Sequence, residues 1–311
     1  MFSSVFGISK EKFQNFLKQV GEFADGETMQ FKTHLEEHLL DFLFYIKNYP
    51  TWRTFSFLWS KSVDSLFDGF HRMMHVVEKW SQKQLVFPNE EERSANSVRF
   101  MKQEKIVFCF DCCEQIVCSS IDKRIENIIF GSKYKDHTFN ILVGCNPKNG
   151  KVMFSILLSI EEQTMNSQQS KQKTIFSCFI NQTFEGKKND VTALYQTELW
   201  KWFKQDEYIC GDQAFGVLRD FHPSTLIKNK MPQDYGVTEE IFNNNVDSVR
   251  IIIENVFAYV RRFNICDDKL RIKKRLKSID NLQKALNFHN RIWRCVCGIL
   301  NAFGSIRKIS E

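Results

Sequence analysis

Three carboxylates in this chain stand where chemistry could use them. Asp111 lies inside Lys105 to Cys118, read KIVFCFDCCEQIVC. A short run so rich in Ile, Val, Phe and Cys predicts a buried strand. An ionised carboxylate there is costly unless a metal or a fixed donor offsets it. Alternation along the strand puts Asp111 on one face with Val107, Cys109 and Cys113, and Glu114 on the other with Phe108, Phe110 and Cys112. Asp212 closes a short predicted strand, Tyr208-Ile-Cys-Gly-Asp212. Glu254 lies inside a predicted helix, four residues after Arg250 and seven before Arg261. Carboxylates gathered from separate elements can hold two hard cations about 4 Å apart, which activate a water or hydroxyl and stabilise the leaving oxygen of a phosphodiester. The plainer reading of Glu254 is a helix salt bridge to Arg250.

A second constellation, His34-Leu-Glu-Glu-His38, fits the H-x-x-E-H pattern of inverted zinc peptidases, with Glu37 as base. A solvated helix face is the plainer reading, since Thr33, Glu36 and Glu37 alternate with apolar core positions, and no third ligand is evident nearby. His71 and His75 repeat the spacing with no Glu between them.

The elements that must position these residues follow from periodicity. Residues 1–26 predict one amphipathic helix ending at Asp25-Gly26, and Thr28 to Asn48 a second. A third runs from Thr51 to Trp59, and Ser60 is the expected cap of a fourth that starts near Lys61 and reaches about Gln82. Two helices across so tight a turn make a helix-turn-helix pattern, with Lys61 and Ser62 at the start of the second helix as DNA contacts. A plain helical bundle remains the alternative, because Asp64 adds an acid to the same face.

Leu85 to Asn96 reads as a linker, followed by a short helix into the Asp111 strand. Beyond it come strands at His137–Gly144 and Lys151–Ile160, turning at Asn146-Pro-Lys-Asn-Gly150. Residues 161–173 read as a loop and Thr174–Phe184 as a further strand. Gly186–Asp190 is a turn into a helix through Phe203, and Asp220 to Thr238 is irregular. Phe242–Phe263 and Asn281–Leu300 are the last helices, separated by the basic run 269–277. The fold class is therefore α/β: a mixed sheet with helices behind an all-helical region, split as 1–88 and 89–306.

Composition sets bounds on function. The 311 residues suffice for a full core, to which 30 Phe contribute heavily. A net charge of +6 and pI near 8.7 fall just short of the usual nucleic-acid-binding footprint, so such a role depends on where the charge sits. No h-region and no transmembrane-length run are evident. Ten cysteines without a secretory signal predict reduced, buried thiols.

From Asp111 onward the sequence resembles the Harbinger-type DDE transposases, of the DDE endonuclease superfamily with an RNase H-like fold. Phe108-Cys-Phe-Asp-Cys-Cys-Glu114 is similar to the first strand. Lys133-Tyr-Lys with the strand at 137–144 resembles the second, and Gly186–Asp190 the glycine–basic–Asp turn. Tyr208 to Gly216 is similar to the second-Asp motif, and Val249-Arg250-Ile-Ile-Ile-Glu254-Asn-Val-Phe257 to the Arg-x-x-x-Glu helix. Phe288 to Asn301 resembles the closing helix, and residues 28–88 the preceding helix-turn-helix. The chain departs from the pattern at Gln213-Ala214, at Asn189 where His is usual, and in the 161–173 insertion.

The resemblance implies a transposase that cuts and joins DNA phosphodiesters. Asp111, Asp212 and Glu254 would form the catalytic triad around two Mg²⁺ (or Mn²⁺) ions. Double-stranded DNA, as element ends and target site, is the implied substrate. Arg250, Arg261 and the basic run, with Lys273, Lys274 and Arg275, are expected on the phosphate backbone. A nuclear location and a separate Myb-like DNA-binding partner come with the family; a homodimer is a further option that the sequence leaves open, and no membrane role is expected. Two other readings stay open: a transposase-derived DNA- or protein-binding module without catalysis, and the zinc peptidase.

Overall fold

The computed structural model describes residues 2–100, 104–120, 122–131, 134–156, 199–228, 237–272 and 276–304. The expected loop at 161–173, the strand at 174–184, the turn at 186–190, Lys133 and the cations Lys273, Lys274 and Arg275 lie outside them. An N-terminal helical region is followed by a mixed sheet with helices, an α/β fold consistent with an RNase H-like domain. Contacts group the chain into two units: residues 1–86 with 258–270 and 291–305, and residues 87–257 with 271–290 and 306–311.

The helical unit begins with α1 (Phe2–Phe6) and α2 (Lys10–Gly21). The single helix expected over 1–26 is broken by Gly7, at φ +82°, and restarted by Ser9, whose hydroxyl accepts from Lys12 N at 3.3 Å. The predicted 28–48 helix is likewise two, α3 (Met29–Thr33) and α4 (Leu35–Asn48), divided at His34. Next come α5 (Trp52–Trp59), capped by Thr51, and α6 (Val63–Gln84). The cap of α6 is Ser62, not Ser60; Ser60 adopts φ +52° and ends α5, so the turn between the helices is Ser60-Lys61-Ser62. The apolar faces meet in an aromatic core of Phe16, Phe42, Tyr45, Phe55, Phe70 and Trp80, each at most 3% exposed. Fully burying such a side chain contributes roughly 1.5–3 kcal/mol.

The second unit opens with α7 (Glu90–Ala95), a six-residue helix inside the stretch expected to be a linker. A capping box makes it: Asn89 Oδ1 accepts from Glu92 N at 2.9 Å and Glu92 returns the bond to Asn89 N at 3.0 Å. A short strand, β1 (Val98–Phe100), follows where a helix was expected. The Asp111 strand is β2 (Glu104–Ile116), and α8 (Lys123–Ile129) occupies the mixed-polarity stretch after it. Then come β3 (Phe130–Gly131), β4 (Asp136–Cys145) and β5 (Val152–Ile156). A 3₁₀ turn at Leu199–Trp202 stands where an α-helix was expected to end. It leads to β6 (Tyr208–Cys210), a 3₁₀ stretch Gln213–Asp220 and β7 (Thr225–Leu226). The last helices are α9 (Val237–Val260), α10 (Asn264–Asp267) and α11 (Ile279–Phe303).

Among the described residues the sheet runs β3-β4-β2-β6-β7, with β1 also on β2 and β5 also on β4. The β2–β4 pairing is antiparallel and sets Asp111 opposite Val143; β2–β6 and β6–β7 are parallel. The strand carrying Asp111 is thus flanked on both sides, and its neighbour β6 ends beside it. The faces of β2 divide their work. Phe108 and Phe110 join Phe203, Phe215 and Leu218 in one core cluster. Val107, expected on the Asp111 face, belongs to that cluster too, and a register shift between Ile106 and Phe108 accounts for the lost alternation. The opposite face meets helices: Cys109 Sγ lies 3.9 Å from Val249 O on α9, and Gln115 Oε1 lies 3.0 Å from His289 Nε2 on α11.

Candidate active site

Asp111 and Asp212 reach one place by parallel strand pairing. Cys109 of β2 pairs with Cys210 of β6, so the chain two residues beyond each partner carries one of the two acids. Gly211 makes the approach possible: a Cβ there would stand 2.6 Å from the Phe110 ring. Asp212 then caps the 3₁₀ stretch, its Oδ1 accepting from Gln213 N at 2.6 Å. Asp111 Oδ1 accepts from Cys112 N at 2.8 Å.

Both acids face Arg250 of α9. Its Nη2 lies 3.5 Å from Asp111 Oδ2 and its Nη1 3.7 Å from Asp212 Oδ1. Asp247, one turn earlier on α9, adds a third carboxylate at 3.9 Å from Nη1, and is itself bound by Lys228 at 2.5 Å. These separations exceed the 2.7–2.9 Å or so of a charge-assisted hydrogen bond. Arg250 Nε is buried with no hydrogen-bond partner among the described residues, and the side chain is only 12% exposed. The guanidinium is held by charge rather than by a good fork.

The remaining expectations resolve individually. The helix salt bridge considered for Glu254 goes to other acids, because Arg250 turns toward the two strands. Glu254 is exposed one turn further along α9. Among the described residues, no three His, Cys, Asp or Glu side chains are grouped closely enough to hold a metal ion. Glu114 turns away from Asp111, toward β3, where a Cβ on Gly131 would stand 3.0 Å from its Oε2. Arg261 lies 3.9 Å from Asp267 and is 40% exposed. Asp247 was missed by reading acids one at a time; its i, i+3 spacing to Arg250 was the available signal.

Two carboxylates from adjacent strand ends converge on a positive group, and oxygen donors are what Mg²⁺ or Mn²⁺ takes. Asp111 and Asp212 supply donors of that kind, and among the described residues no third acid joins them closely enough to complete a metal site.

In the helical unit the other candidate residues have different partners. Lys61 Nζ lies 2.6 Å from Glu37 Oε1 and 2.7 Å from Asp41 Oδ2, and Ser62 accepts from Ser65 N at 3.1 Å. Lys61 is therefore engaged internally and Ser62 in capping. His38 stacks on Phe31 at 4.5 Å, and His34 lies 3.6 Å from Glu37. With Asp41 and Arg72 these residues line a cavity of about 390 Å³. The bond to Lys61 holds Glu37 below the usual carboxylate range, whereas burial pushes Asp41 up and His38 down.

The described cysteines are free thiols, and Cys109, Cys145 and Cys210 are buried. Burial raises the thiols of Cys109 and Cys145, which keeps them protonated and inert. No described helix is long and apolar enough to cross a membrane.

Strand order, parallel β2–β6 pairing and acids at the strand ends define an α/β domain with a carboxylate centre. Residues 160–301 match the family described as DDE superfamily endonuclease, a span that includes Asp212, Asp247, Arg250 and Glu254. No curated protein and no solved structure matches the chain.

Proposed function

We propose that this chain is a metal-dependent DDE-type endonuclease of the Harbinger transposase kind, which cuts and joins the phosphodiesters of double-stranded DNA. The observation that carries this reading is the meeting of Asp111 and Asp212, about 100 residues apart in sequence, on one guanidinium at adjacent strand ends. The endonuclease match over 160–301 supports it independently. Asp111, Asp212 and Glu254 would hold the Mg²⁺ ions, with Glu254 drawn in from its exposed position on α9. When bound, such ions activate an oxygen nucleophile and stabilise the leaving oxygen. The chain's own contribution is placement. Gly211 and the parallel register fix the two aspartates, and the buried aromatic cluster behind β2 keeps their strand rigid. Arg250, Arg261, Lys273, Lys274 and Arg275 would contact phosphate. A nuclear location, a Myb-like partner and a homodimer belong to the same proposal.

The engagement of both aspartates by Arg250 favours one alternative, a transposase-derived DNA-binding module without catalysis. Nicking of duplex DNA carrying the element's terminal repeats separates the two. Mg²⁺-dependent nicking by the wild type, reduced at least about a hundredfold by Asp111→Ala, is expected. Equal activity of the two proteins would sink the endonuclease reading.

A further inference from the structure

We propose that Arg250 acts as an internal counter-ion that must leave the Asp111–Asp212 centre before a divalent cation can enter it, and that backbone phosphate draws it out. This rests on the endonuclease reading and deepens it, since it makes metal loading depend on substrate.

The argument starts from charge. Asp111, Asp212 and Asp247 surround one guanidinium at 3.5, 3.7 and 3.9 Å. Asp247 is also bound by Lys228, whereas Asp111 and Asp212 approach the guanidinium from the two strand ends. A divalent ion placed between these acids would stand within a few ångströms of the guanidinium. Two like charges so close repel even in water, and a doubly charged ion doubles that repulsion. Arginine and metal are thus competitors for the same carboxylates.

The geometry also says how firmly Arg250 is held. All three contacts are longer than hydrogen-bonded ion pairs, and Nε is buried without a partner among the described residues. A phosphodiester offers what these carboxylates at 3.5 to 3.9 Å do not: two anionic oxygens on one phosphorus, free to accept a pair of guanidinium hydrogen bonds at full hydrogen-bonding distance. Exchange of the carboxylates for phosphate satisfies the orphan donor and uncovers the acidic pair in one move. Arg250 is in this account a positioning residue, since it acts through the aspartates.

Mn²⁺ binding tests this without reference to activity. The full chain is titrated with Mn²⁺ alone, and the free ion is followed by its electron paramagnetic resonance signal. Wild type is expected to bind weakly, and Arg250→Met at least about tenfold more tightly, from loss of one nearby positive charge. Arg250→Lys, which keeps the charge, is expected to stay close to wild type. Arg250→Gln replaces the Met variant if that protein does not fold. Adding Asp111→Asn to Arg250→Met should return binding to the wild-type level, which locates the ion.

Equal Mn²⁺ affinity in wild type and Arg250→Met, abolished by Asp111→Asn in both, overturns the role of Arg250 and leaves the endonuclease reading standing. Absence of Mn²⁺ binding in every variant overturns both.

Discussion

Gly211 shows how one residue governs the carboxylate centre. It precedes Asp212 directly, and the Phe110 ring, fully buried, fills the space its side chain would need. Phe110 is the residue before Asp111, so one contact fixes the spacing of both acids. Gly211→Ala would place a Cβ 2.6 Å from that ring, closer than packing allows. A loss of about 1–3 kcal/mol is expected, measured by urea denaturation. Phe110→Leu in the same chain should recover part of it, because the smaller side chain yields the space. An unchanged denaturation midpoint in Gly211→Ala would show that the ring moves aside freely. The glycine was visible in the sequence as part of Cys-Gly-Asp, but only the cross-strand neighbour explains it.

At the scale of elements, α7 carries more than its length suggests. Six residues are too few to hold a helix unaided, and the Asn89–Glu92 capping box supplies the missing stability. Arg93 then forks onto Glu207, Nε to Oε1 at 2.8 Å and Nη2 to Oε2 at 2.7 Å, with side chains 7% and 9% exposed. Glu207 immediately precedes β6, whose far end carries Asp212. The helix is therefore a strut for the strand that presents an acid. Arg93→Met should destabilise the unit by about 3–5 kcal/mol, because Glu207 would be left buried without its charge partner. The double variant Arg93→Met/Glu207→Gln should lose distinctly less. If the double variant is as unstable as the single one, the ion pair is not what matters there. Composition made this stretch a linker, since Pro, Asn and charge also describe a capped helix held from a distance.

On the scale of the molecule, a buried imidazole sets a limit at low pH. His289 of α11 is fully buried, with Nε2 at 3.0 Å from Gln115 Oε1 and its ring edge-on to Phe139 at 5.6 Å. Burial lowers its pKa to about 3. The unfolded chain takes up that proton near the ordinary histidine value of about 6.5. The stabilising contribution is therefore complete above about pH 6.5 and is lost as pH falls toward about 3. Stability should decline by on the order of 5 kcal/mol across that window from this group. Urea midpoints at pH 7.5 and 4.5 measure the decline, and His289→Leu should show a shallower one between the same two values. An equally steep decline in the variant would assign the acid sensitivity to other groups.

Much of this protein could be read from its residues one after another. Helix faces, the turn at Asp25-Gly26, the strand around Asp111 and the short strand before Asp212 are written in local periodicity and capping chemistry. That Asp111 is buried enough to need a partner follows from its neighbours alone. Which partner it meets does not. Strand order, the parallel β2–β6 register and the packing of α9 across the sheet depend on contacts between segments far apart in sequence. Only those contacts turn Arg250 away from Glu254 and onto Asp111 and Asp212, and bring Asp247 into the same circle. Local spacing fixes which groups could act; long-range packing and the charge balance it creates decide which of them stand together.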